Sequence, residues 1–237
     1  VSTEIQSAGV DARSTYRCDP APEVIPDRLQ RPLVHVVDGF LRADDRKFEA
    51  DLGPWIAARR QDFAQVVDDE CIFRMGWTIT NVTDMEPELF RPFRKLVLEA
   101  APAAFDPCAV AEFDLTDVSM GISVYHHGNF YQWHRDSAGP DDSRRMGFAF
   151  FVHTAPKMFK GGEIEFLDGS VVEPEHNRLV FYNPLQPHRV APVECWTPDI
   201  MHARWVVHGW LHGEPPPGYA EMYDRVTRVP GPVDAGA

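Results

Sequence analysis

Basic residues are scarce in this chain and nowhere gathered. Lys and Arg total 23 against 36 Asp and Glu, a formal net charge of −13. The densest basic spots are only the pairs Arg59-Arg60 and Arg144-Arg145. Duplex DNA carries about one negative charge per 1.7 Å and is gripped by a basic stripe, so nucleic acid is excluded as an expected partner. An anionic membrane surface is excluded on the same ground. No apolar run approaches the ~18–20 residues of a membrane span, which argues against an integral membrane protein. Cysteine is sparse: Cys18, Cys71, Cys108 and Cys195 are widely spread and contain no CxxC pair. A zinc knuckle or dithiol redox centre is therefore not expected, and a reducing, cytoplasmic setting is. Val1 to Thr15 show no charged start followed by an apolar block, so no secretory signal is expected. Internal repeats and long low-complexity tracts are also missing.

What is present is enough for a packed core. The 237 residues are 44% hydrophobic and 25% charged, which suits one structural domain rather than a disordered chain. Four prolines in residues 19–32 (DPAPEVIPDRLQRP) favour an extended entry segment. Leu41, Phe48, Leu52, Trp55, Ile56 and Phe63 recur at helical spacing, with Asp44 as a cap and Gly53-Pro54 expected to break the helix in two. A second helix is expected from Pro87 to about Ala101, with a kink or later start at Pro92, and residues 71–80 read as a strand between the two.

Beyond the Ala/Pro-rich bend at 101–107 the period changes from helical to two. Val118, Met120, Ile122 and Val124 alternate with Ser119, Gly121, Ser123 and Tyr125. Strand-like runs follow near 130–136, 146–153, 162–167, 170–173, 178–182, 188–193 and 203–211. Eight short strands with turn residues between them suggest a jelly roll or sandwich rather than a parallel sheet. The expected organisation is an N-terminal buttress of extended chain, helices and strand over 1–110, a β-core over 111–212, and a Pro/Gly-rich tail over 213–237 that wraps the surface or frays.

Three residues are candidates for metal chemistry. In a strand, His134 and Asp136 would project to one side and could share a metal. An HxD pair alone is expected about once by chance in such a chain, and a surface histidine beside an acid is the simpler account of it. His188 supplies a second imidazole at the start of a later strand. Two imidazoles and a carboxylate make the facial triad of non-haem iron(II) oxygenases, which leaves three coordination positions open. A 2-oxo acid would fill two of these and dioxygen the third. The far carboxylate of such an acid needs a fork of donors, which arginine supplies. Arg204 opens the last strand (ARWVVHGWL) on a face shared with Val206, His208 and Trp210, where a buried charge would need a partner.

Residues 118–136 (VSMGISVYHHGNFYQWHRD), Gly161-Gly162-Glu163 followed by IEF, the run His188 to Val193, and Arg204 with Gly209-Trp210 occur in that order. Together they resemble the prolyl 4-hydroxylase-like branch of the iron(II)/2-oxoglutarate-dependent dioxygenases, over about residues 118–212. The resemblance implies a double-stranded β-helix (a cupin-like jelly roll) that is mainly β with flanking helices. It implies His134, Asp136 and His188 as iron ligands, Arg204 as the 2-oxoglutarate anchor, and Tyr125 as a wall of the co-substrate pocket. Iron(II), 2-oxoglutarate and O2 are the implied cofactors and co-substrates, with ascorbate as an accessory reductant. Two departures stand out: an insertion near 194–202 lengthens the path from His188 to Arg204, and Phe151 or a neighbour stands where several relatives carry a second pocket tyrosine.

The resemblance implies an oxygenase that hydroxylates an unactivated C–H of an amino-acid or peptidyl residue, prolyl among them. A small natural product, hydroxylated or desaturated, is the alternative target. Halogenation is disfavoured because Asp136 occupies the position a halide would need. A cupin-like module that binds metal or ligand without turnover is the non-enzymatic alternative. The loop 137–144 after the ligands is expected to be exposed and mobile, with Asp141 and Asp142 facing a cationic or polar part of the substrate. Trp77, Tyr131, Trp133 and Trp205 could wall a pocket, although Tyr131 and Trp133 are expected by parity to point away from the metal. His126 and His127 read as loop residues, and Gly161-Gly162 as a tight turn.

Overall fold

The structure, a computed structural model, describes residues 33–67, 74–137, 139, 141–221 and 223. The entry segment expected over 19–32 lies outside the described residues, as do Cys18 and Cys71. Strand β1 (Val34–Asp38) precedes α1 (Lys47–Ala58), the hairpin β2 (Ala64–Val67) and β3 (Arg74–Thr80), the short α2 (Val82–Met85) and α3 (Pro87–Ala100). The strand-rich part follows: β4 (Leu115–Tyr125), β5 (Phe130–His134), β6 (Arg144–Val152), β7 (Phe159–Gly161), β8 (Ile164–Phe166), β9 (Val171–Val172), β10 (Arg178–Tyr182), β11 (His188–Val190), β12 (Val193–Cys195) and β13 (Arg204–Gly213).

All pairings are antiparallel. One run of neighbours is β1-β10-β6-β13-β4-β3, and it continues as β5-β11-β8-β9. The turn between the two layers is made by β3, whose Trp77–Thr80 stretch pairs with β4 while its first two residues pair with β5. The result is a jelly roll, mainly β with helices on one outer face.

Period-two sequence sorts the side chains into two cores. On β4, Met120, Ile122 and Val124 point outward with Phe148, Phe150, Val207 and Leu211 of the neighbouring strands, and pack against Leu52 and Ile56 of α1 and Phe90, Phe93 and Val97 of α3. Phe48 and Phe93 stack with centroids 4.3 Å apart and clamp the helices together. The opposite face carries Tyr125, Ala149, Phe151, Val180 and Val206, which meet Ile164, Phe166, Val172 and Val190 of the smaller layer. The helices thus buttress the outside of the large sheet, and the inner face is left for the site.

Some expectations fail for identifiable reasons. Helix α1 is not broken at Gly53-Pro54 but runs on through Pro54. The prolyl nitrogen cannot bond the Ala50 carbonyl, yet both residues are solvent-exposed, and burial of Phe48, Leu52, Trp55 and Ile56 holds the helix on either side. Asp44 is not its cap; it sits in a preceding 3-10 turn, and Arg46 occupies the cap position. Helix α3 likewise starts at Pro87 and continues through Pro92. The eight runs become ten strands, β4 to β13: Ala191-Pro192 splits the 188–193 run into β11 and β12, and β7 precedes the 162–167 run, where no strand was expected. Within the tail, Tyr219 is buried beneath the Arg145 guanidinium, 4.2 Å from its ring centroid. No described helix is long and apolar enough to cross a membrane.

Pro54→Ala restores the missing N–H at an exposed helix position. It is expected to raise the unfolding free energy by about 1–3 kcal/mol, measured as a higher urea midpoint with an unchanged slope.

Candidate metal and co-substrate site

Antiparallel register brings the two imidazoles together. His188 of β11 lies directly opposite His134 at the end of β5, and their ring centroids are 4.3 Å apart. Asp136 is not in the strand with His134, as the sequence suggested, but two residues past its end. Its backbone N–H donates to Pro184 O at 3.0 Å, in the segment that leads from β10 to His188. One connection therefore fixes both the carboxylate and the second imidazole.

One ligating atom of each of His134, Asp136 and His188 lies within 4.8 Å of the others, and all three residues are buried. Nδ1 of His134 meets Gln132 O at 2.8 Å and Nδ1 of His188 meets Gln186 O at 3.0 Å. A carbonyl has no proton to give, so each Nδ1 carries the hydrogen and each Nε2 keeps its lone pair toward the centre. His134 Nε2 stands 3.5 Å from Asp136 Oδ1, and His188 Nε2 stands 3.8 Å from Oδ2. Burial and the neighbouring His134 push His188 down to about 4, so it is neutral at pH 7. Burial alone would raise the Asp136 carboxyl, but His188, His134 and the Tyr182 phenol outweigh it and hold the group well below the usual carboxylate range. A buried anion facing two imidazole lone pairs is a donor set that suits a divalent cation, among the described residues the one such group.

Asp136 Oδ2 is engaged elsewhere. Tyr182 Oη–H donates to it at 2.7 Å and Trp210 Nε1–H at 2.9 Å. Burial, with the Asp136 charge beside it, raises the Tyr182 phenol well above its ordinary value, so it remains a donor. Neither contact was anticipated. Trp210 had been placed on the Arg204 face, but nothing local to FYNP marks Tyr182 as a neighbour of a residue 46 positions away.

Deeper in the same cavity, of about 140 Å³, lies Arg204. It is 1% exposed. Its Nε donates to Gly162 O at 2.6 Å, its guanidinium carbon lies 4.9 Å from the Tyr125 ring and 5.0 Å from the Phe151 ring, and its Nη1 is buried without a partner. Burial brings its pKa down to about 10, so it is still a cation at neutral pH. A buried cation with no ion-pair partner among the described residues and an unsatisfied donor is costly on its own and fits a small anionic ligand. The 194–202 insertion does not displace it: a 3-10 turn over Ile200–His202 closes the insertion, and Trp205 Nε1–H donates to Ile200 O at 2.9 Å. Gly162 makes room, since a Cβ there would lie 2.4 Å from Arg204 Cδ.

Of the other candidates, Tyr125 lines the cavity beside Arg204, its cross-strand neighbour. Trp77 does not; it shares a face with Val124 and packs against the helix-side core. Trp205 is likewise in that core. Tyr131 reverses its expectation. Between β5 and β11, three steps from Tyr131 to His134 oppose two from Val190 to His188, and this bulge brings Tyr131 onto the metal face. Its ring stacks on His134 with centroids 3.6 Å apart. Trp133 does face away, under the Arg189 guanidinium at 5.0 Å. Asp141 and Asp142 lie outside the cavity lining. Asp142 accepts the Arg144 backbone N–H at 2.9 Å and lies 3.8 Å from its Nε, so it fastens the loop; Asp141 is exposed. His126 bonds Thr197 O at 3.1 Å and stays in its loop.

The fold and the site define a jelly-roll protein with a His-Asp-His centre and a buried arginine in one cavity. Residues 120–212 match the family model described as the 2OG-Fe(II) oxygenase superfamily, a family that implies iron(II) and 2-oxoglutarate. An uncharacterised PKHD-type hydroxylase of Synechocystis is 22% identical over 139 residues, covering 53% of this chain and 46% of that protein. The chain thus spans about half the length of this curated relative. Among solved structures, a Pseudomonas putida prolyl-4-hydroxylase superposes with a TM-score of 0.52 at 19% identity, over 76% of this chain and 92% of its own. A Trichoplax adhaerens prolyl hydroxylase, in complex with a hypoxia inducible factor peptide fragment, gives 0.55 at 13% identity, over 82% and 87%. Residues 120–212 thus resemble the 2OG-Fe(II) oxygenase superfamily in sequence profile, and the fold is shared with the two prolyl hydroxylase structures.

Gly162 sits at φ +77° against the arginine side chain. Gly162→Ala is expected to cost about 1–3 kcal/mol of stability and to shift the guanidinium. The checks are a lower thermal midpoint and weaker 2-oxoglutarate binding by calorimetry.

Proposed function

We propose that this chain is an iron(II)- and 2-oxoglutarate-dependent oxygenase that hydroxylates an unactivated C–H of an amino-acid or peptidyl residue, prolyl among them. The observation that carries the proposal is Arg204: a buried guanidinium with an unpartnered Nη1, in the cavity that also holds His134, Asp136 and His188. The overall reaction balances as substrate C–H, O2 and 2-oxoglutarate going to substrate C–OH, succinate and CO2. Bound iron would supply the activation of O2 that the reaction needs.

The chain's own residues do the rest. His134, Asp136 and His188 would hold the metal, and the coordination positions they leave open would be available to co-substrate and O2. Arg204 would receive the far carboxylate of 2-oxoglutarate; its Nε is already bonded to Gly162 O, which fixes the plane of the fork and directs the remaining donors. Tyr125 and Phe151 flank that guanidinium and keep water from it. Phe151 supplies no hydroxyl, so the polar contacts of the co-substrate fall on Arg204 and Tyr125. Tyr131, stacked on His134, and Trp210 line the same cavity and would border the substrate. The peptide carried by the Trichoplax structure favours a peptidyl target by analogy of fold.

The test is anaerobic iron loading followed by a screen of amino acids and short peptides for substrate-stimulated succinate formation. Replacing His134, Asp136 or His188 by Ala should abolish iron retention while circular dichroism stays that of the wild type. Arg204→Ala should raise the Michaelis constant for 2-oxoglutarate by about two orders of magnitude or more, for a buried charge pair worth roughly 3–5 kcal/mol, with iron binding nearly intact. A module that binds iron and leaves 2-oxoglutarate unconsumed under every substrate would overturn the oxygenase reading.

A further inference from the structure

We infer that Tyr182 is a positioning residue for the metal carboxylate: with Trp210, it holds Oδ2 of Asp136 so that the aspartate ligates through Oδ1 alone. The inference rests on the metal site proposed above and adds to it a residue outside the ligand set.

A carboxylate oxygen offers about two lone-pair directions. Oδ2 of Asp136 accepts both the Tyr182 phenol and the Trp210 indole, at 2.7 and 2.9 Å. Its acceptor capacity is spent on the protein, while Oδ1 faces His134 Nε2 at 3.5 Å. Turning the carboxylate to present both oxygens to a metal would break two charge-assisted bonds in a buried setting, where no water replaces them.

The two donors are placed by one row of the sheet. Tyr182 on β10 and Trp210 on β13 are both paired with Gly147 of β6, one on each side of it. A Cβ at 147 would lie 2.4 Å from Tyr182 Cζ and 2.5 Å from Cε2. Only a residue without a side chain lets the Tyr182 ring lean across β6 toward Asp136. Gly147, Tyr182 and Trp210 therefore act as a unit, a two-donor shelf beneath one ligand oxygen. Outer partners of metal ligands typically change metal affinity about 10–100-fold when removed.

The experiment titrates the full apo-protein anaerobically with Co(II), read by calorimetry and by its visible ligand-field bands. Tyr182→Phe keeps the ring and removes the hydroxyl. The expected result is a loss of affinity of about tenfold or more together with altered bands, as the freed oxygen joins the coordination. Gly147→Ala should give a similar loss by pushing the ring away, and Gly147→Ala with Tyr182→Phe should lose little beyond either alone, since both act through one hydroxyl. Wild-type affinity and unchanged bands in Tyr182→Phe would overturn the inference. So would lower affinity with unchanged bands, because the phenol would then shape the cavity rather than the carboxylate. Failure of the wild-type protein itself to bind Co(II) would instead overturn the metal site.

Discussion

The inner face of the jelly roll has to keep an anion and a cation out of water in the same cavity. Asp136 and Arg204 are both buried there, and neither is the other's ion-pair partner. Each is solvated by a separate set of fixed dipoles: Asp136 by the Tyr182 phenol and the Trp210 indole, Arg204 by one backbone carbonyl and two aromatic faces. Arg204 retains an unsatisfied Nη1. In a low-dielectric interior such groups persist only when the surrounding structure over-determines them. Much of the rest of the architecture follows from that demand.

Rigidity comes from the other side of the sheet. Helices α1 and α3 cover the outer face of β6, β13 and β4: Phe48 and Phe93 stack on each other, and the Phe93 ring lies tilted against Phe150 of β6. The strands that carry Tyr125, Arg204 and Trp210 inward carry Val124, Trp205 and Leu211 outward into that layer. A core substitution on the helix side therefore reaches the site only through strand backbones shared by both faces.

Close approach is made possible by missing side chains. Gly162 admits Arg204 and Gly147 admits Tyr182, each at a distance a Cβ would forbid. The bulge in β5 does similar work by geometry: it returns Tyr131 to the metal face, where it stacks on His134. These are sites where regular strand periodicity gives way, and they cluster around the candidate metal.

The sequence by itself determined the change from helical to two-residue periodicity, the inner and outer faces of β4 and β13, and the order of His134, Asp136, His188 and Arg204. Each is a local property: side chains two apart on a strand share a face whatever the rest of the chain does. The parity that put Arg204, Val206, His208 and Trp210 together needed no knowledge of neighbours, and all four line the cavity. Only the tertiary structure decided that His134 pairs with His188, that a bulge turns Tyr131 inward, that Trp77 belongs to the helix-side core, and that Tyr182 reaches Asp136 across Gly147. Those facts depend on which strands are neighbours and in what register. Register is set by pairing between distant segments and by packing against the helices, and no window of the sequence contains both sides of that pairing.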